Sequence, residues 1–126
     1  MGAAVLRVLI GLAGVLALLV AARTWMAPEA MGAQLGLSGD GPLGLASLRA
    51  DIGGFFAAGG AFALAAAIRN QARLLTPPLV LLSIALCGRL LSFALNGTDA
   101  ASLPPAAIEA VLVLLFGIGR RVLPAR

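Results

Sequence analysis

The chain has no lysine, no histidine and no tyrosine. Without histidine, zinc, haem and di-iron centres built on imidazole are excluded, and the commonest general base is missing. Without lysine there is no Walker-type phosphate loop, which needs one after its glycines. The single cysteine, Cys87, excludes an internal disulfide; in its apolar run it is expected to be a small buried hydrophobe. No metal and no cofactor is expected. Charge is scarce too: 11% of the 126 residues, against roughly a quarter in a soluble domain.

What fills the space is apolar. Hydrophobic residues make up 61% of the chain. A single-domain length cannot bury so much, and soluble monomers tolerate exposed apolar patches of only a few hundred Å². The membrane is the natural solvent, and membrane lipid is the first expected partner. The net charge is +4, and every basic residue is an arginine. The arginines are scattered between apolar runs and form no basic stripe, so nucleic acid is not an expected partner.

Four apolar segments stand out, at about 5–26, 43–69, 74–95 and 105–122. Each approaches the ~20 residues that cross a ~30 Å hydrocarbon core. The reading is an all-α integral membrane four-helix bundle, one transmembrane domain over residues 1–126. The first run, "VLRVLIGLAGVLALLVAARTWM", is too long for a signal-peptide core and is expected to remain as an anchor. Pro77-Pro78 falls in the first turn of the third segment and marks a helix start. In the first loop, "APEAMGAQLGLSGDG", Pro28 and Glu29 suit a helix N-terminus and Gly36 a helix end. A short interfacial helix is predicted there. Arg7, Arg69, Arg73, Arg120, Arg121 and Arg126 gather at one side, and Glu29, Asp40 and Asp99 at the other. The positive-inside rule then puts both termini in the cytoplasm, in a bacterial inner membrane.

Charges inside the spans carry the most information. Counted at about 1.5 Å per residue, Arg49, Asp51, Arg89 and Glu109 come to a similar depth in the outer third of the bilayer. Unpaired charges are costly there, so inward-facing pairs are expected: Arg89 with Glu109, and Arg49 or Arg89 with Asp51. Arg49 and Asp51 point to different sides of one helix, so one of them is free to snorkel to the headgroups. Ala85, Ser92 and Asn96 continue the Arg89 face as a small, polar stripe. Two readings stay open: the charges clamp the helices together, or they line a polar pocket open to the outer face. Gly53, Gly54, Gly59, Gly60 and Gly88 are expected to let helices approach closely, within one chain or between copies. No enzyme motif is present and no catalytic residue is assigned.

The stretches "SLRADIGGFF" and "CGRLLSFALNG", followed by a glutamate early in the last helix, resemble the domain of unknown function 4345 family, small bacterial membrane proteins of four helices. The matching positions are Arg49, Gly53 and Gly54, then Gly88, Arg89, Ser92 and Gly97, then Glu109, with Pro28 and "LGL" in the first loop. The resemblance spans nearly the whole chain. It implies the four-helix architecture and one site grouping Arg49, Arg89 and Glu109, and it implies no activity. Asp51 departs from the expected pattern.

The expected function is that of a non-enzymatic accessory or scaffold subunit binding lipid or a partner membrane protein, including a second copy of itself. A membrane enzyme or small-molecule binder is the first alternative, with Glu109 or Asp51 handling protons and Arg89 holding an anionic or carbonyl group. An oligomeric transporter of protons, ions or small solutes is the second.

Overall fold

A computed structural model describes residues 2–125. Among these the chain is all-helical in its regular structure, with short loops between helices and no strand. Helix α1 runs Gly2–Met26, the short α2 Pro28–Gln34, α3 Gly41–Arg69, α4 Thr76–Asn96 and α5 Leu103–Val122. A 3₁₀ turn, Ala72–Leu75, leads into α4. The helices of α1, α3, α5 and the continuous 72–96 segment are each long and apolar enough to cross a membrane.

The breaks between helices follow local chemistry. Prolines stand in the first turns of α2, α3, α4 and α5, where a missing N–H forfeits no helical hydrogen bond. Gly36 ends the α2 turn at φ +71° and Gly97 follows α4 at φ +83°, a conformation closed to most side chains. Asn70 caps α3 in the left-handed region at φ 52°.

Helices α1 and α3 form the closest pair. A Cβ added at Gly14 would lie 2.7 Å from Leu64 N and 2.9 Å from Gly60 O; one at Gly60 would lie 2.8 Å from Gly14 O. The two backbones therefore touch with no side chain between them. The buried core lies toward the end that carries Arg7 and Val122. There Ile10, Ala66, Ala72 and Leu75 are fully buried beside Phe116 and Leu123. Polar contacts close that end: Arg7 Nε donates to Ala67 O (3.0 Å), Arg120 Nε to Thr76 Oγ1 (2.9 Å), and Ala72 N–H to Pro124 O (2.8 Å). The outer faces stay apolar and open, with Leu16, Leu19, Ile84, Leu95, Val111 and Leu114 all exposed.

Several expectations change. The second apolar segment is not a uniform α-helix, because Leu48–Gly53 forms a π turn inside it. Cys87 is exposed, not buried. The glycines divide: Gly60 meets α1 and Gly53 lies so close to Trp25 that a Cβ would overlap its indole, whereas Gly54, Gly59 and Gly88 would present a Cβ to nothing within 4 Å. Those three make no close approach within the chain, since a stretch rich in small residues does not reveal which of its faces is covered.

The division predicts opposite outcomes for one methyl group. Gly60→Ala forces two backbones apart and should destabilise by about 1–3 kcal/mol, read as a lower melting temperature in detergent. Gly59→Ala should leave that temperature unchanged or raise it. Equal effects at the two positions would contradict this packing.

Candidate functional site

The charged residues inside the long helices resolve into two separate arrangements. The first joins α4 to α5. Arg89 Nε donates to Glu109 Oε2 at 2.9 Å and Arg89 Nη2 to Glu109 Oε1 at 2.8 Å. This is a two-bond fork matched to a planar carboxylate, with both carboxylate oxygens engaged. The side chains are 31% and 16% exposed, so the pair lies at the edge of the helix interface. Its net charge is zero. Of the expected pairs, this is the one that the structure forms.

The second arrangement holds Arg49, and its partner is backbone. Arg49 Nε donates to Trp25 O (2.9 Å), while the Trp25 indole N–H donates to Arg49 O (3.0 Å). The bonds run in both directions between the last turn of α1 and the π turn of α3. A π turn widens the helix and disturbs its regular ladder, and here one of its carbonyls receives an indole. Neither Arg49 nor Arg89 pairs with Asp51. Asp51 is exposed, and the ion pair found among the described residues is Arg89–Glu109. Arg49 and Asp51 stand two residues apart and point to different sides, and the close approach of α1 offers the Arg49 Nε the Trp25 carbonyl instead.

Ser92 and Asn96 follow Arg89 along α4 and are both exposed. Among the described residues no hydrogen bond joins either to the ion pair. The depth count therefore brought together Arg89 and Glu109 but not Arg49, Asp51, Ser92 or Asn96. Sequence reading missed Trp25 altogether. The available signal was general: an indole N–H in apolar surroundings needs an acceptor.

Between the helices lies a crevice of about 50 Å³, lined by Ala13, Phe55, Gly59, Leu82 and Phe116 among others. The lining side chains are apolar, and Gly59 opens the space by having none. Beyond the end of α4, Asp99 Oδ1 accepts from the Ser102 hydroxyl (2.6 Å) and the Ser102 N–H (2.8 Å).

No family model matches this chain, and neither a curated protein nor a solved structure matches it.

Two outcomes follow. Glu109→Gln should strand the Arg89 charge at a cost of about 1–3 kcal/mol, and the double variant Arg89→Met with Glu109→Met should recover most of it. Denaturation in detergent measures both; a double variant as unstable as the sum of its singles would mean no coupling. The Ser102 hydroxyl, then its N–H, hold the exposed Asp99 carboxyl below the usual carboxylate range. A lowered pKa makes this turn's contribution complete above the unfolded-state value and lost as pH falls through the folded one. Ser102→Ala removes the hydroxyl and keeps the backbone N–H, so the Asp99 titration, followed by carboxyl NMR, should move up toward the ordinary range without fully reaching it.

Proposed function

We propose that this chain is a small bacterial inner-membrane protein that crosses the bilayer four times as a helical bundle, both termini in the cytoplasm, and serves as a non-enzymatic accessory or scaffold subunit binding lipid or a partner membrane protein. The observation that carries this reading is the closed Arg89–Glu109 fork. Its carboxylate has both oxygens engaged by one guanidinium, which suits a helix clamp better than a proton-handling site.

The surface supports the same reading. Large aliphatic side chains cover the outward faces of all four long helices; in water they would drive aggregation, and in hydrocarbon they are at home. Arg69, Arg73, Arg120 and Arg121 are exposed at one end and Glu29, Asp40 and Asp99 at the other, the asymmetry that orients spans. The α2 helix, with Trp25 just before it, fits an interfacial segment. Membership of the domain of unknown function 4345 family is part of this proposal, resting on Arg49, Gly53, Gly54, Gly88, Arg89, Ser92, Gly97 and Glu109.

The test is purification from native-host membranes in mild detergent, followed by native mass spectrometry. The expected species carries bound phospholipid, a second copy or another membrane protein. A bare monomer with neither lipid nor protein would overturn the accessory reading.

A further inference from the structure

At the end opposite the core, the last turn of α1, the start of α2 and the first half of α3 enclose a second, larger cleft. Its volume is about 400 Å³, and its walls are Met26, Ala27, Pro28, Glu29, Ala30, Leu45 and Arg49. That volume lies within the ~300–1,000 Å³ range of small-molecule sites. Two of the seven lining residues carry charge, and the charges are opposite. Both are exposed, and they form no ion pair with each other. The cleft thus carries a guanidinium and a carboxylate that do not neutralise each other by direct contact.

The Arg49 side chain is not a free surface arginine. Its Nε is committed to Trp25 O, and its own carbonyl is held by the Trp25 indole. This double clasp fixes the side chain's base and leaves both terminal nitrogens as donors. Two parallel N–H groups on a planar guanidinium match a phosphate. Glu29 offers only acceptors, which match a group that is both cationic and rich in N–H. A primary ammonium meets that description. A quaternary ammonium has no N–H to give and is ordinarily held by aromatic faces, and no aromatic side chain lines this cleft. The remaining walls are aliphatic, and Met26 next to the opening and Leu43 on α3 are 85% and 80% exposed, as suits contact with acyl chains.

We propose that the Arg49–Glu29 cleft binds the headgroup of a phospholipid carrying a phosphate and a primary ammonium, of the phosphatidylethanolamine type, with phosphate on Arg49 and ammonium on Glu29. This rests on the membrane reading above and names the lipid it takes. The site reads both ends of a zwitterion, so it discriminates against choline at Glu29 and against an uncharged glycerol headgroup at the same carboxylate.

Trp25 is the only tryptophan in the chain and is half-exposed beside this cleft, so its fluorescence reports lipid at the site. The experiment places the full-length protein in phosphatidylcholine vesicles containing small fractions of phosphatidylethanolamine, phosphatidylcholine or phosphatidylglycerol brominated on the acyl chain. Relative association from Trp25 quenching should favour phosphatidylethanolamine by about tenfold, the worth of one charge-assisted hydrogen bond. Glu29→Gln, at an exposed position, should erase the preference over phosphatidylcholine and phosphatidylglycerol. Arg49→Gln should weaken all three phospholipids. Free O-phosphoethanolamine at the same molar concentration should leave quenching unchanged; effective competition by it would overturn the lipid assignment in favour of a soluble phosphoamine. Equal quenching by the three lipids in the unmodified protein would overturn the site while leaving membrane insertion intact. Absence of quenching by every brominated lipid would instead overturn the membrane reading itself.

Discussion

The contact between α1 and α3 governs the arrangement of the rest. Gly14 and Gly60 bring two backbones together with nothing between them. The same two helices then meet at three heights: Arg7 on the Ala67 carbonyl, glycine on glycine, and the reciprocal bonds of Trp25 and Arg49. Helices α4 and α5 form a second pair, held by Arg89–Glu109 at one end and Arg120–Thr76 at the other. The molecule reads as two fastened pairs brought together by the Ile10, Leu75 and Phe116 core. The apolar crevice lies where the pairs meet and Gly59 leaves space.

Exclusive use of arginine fits this pattern. Four arginines act as fasteners, and each uses Nε: on a carbonyl for Arg7 and Arg49, a carboxylate for Arg89 and a hydroxyl for Arg120. An Nε donor fixes the plane of the guanidinium along with its position. A lysine ammonium would supply charge on a freely rotating stem and no such plane.

Much of the fold was legible in the sequence, for identifiable reasons. Long apolar runs and the prolines at 28, 77 and 78 declare helices and their starts through short-range chemistry. Arg89 and Glu109 were legible as partners because depth along two straight helices can be counted from the loop between them. Arg49 was not, since its acceptor is a carbonyl and every residue has one; only the approach of α1 selects Trp25. Asp51 was left without either expected arginine because Glu109 takes Arg89 with both oxygens and the Trp25 carbonyl takes the Arg49 Nε. Gly54, Gly59 and Gly88 make no close approach within the chain: small size permits close packing, and only the neighbouring helix decides where it happens.

The π turn has a consequence for the geometry of the whole α3 segment. Each extra residue in a helix rotates everything beyond it by about 100° about the axis. Beyond the turn, α3 aims Gly60 at Gly14; at the turn's own start, Leu48 faces Gly32 and Gly39 instead. The wide turn is therefore a swivel that lets one rod serve two different neighbours. A single-residue deletion within it would unwind that rotation and swing the α2 region around the rod, away from the wall where Arg49 and Trp25 clasp.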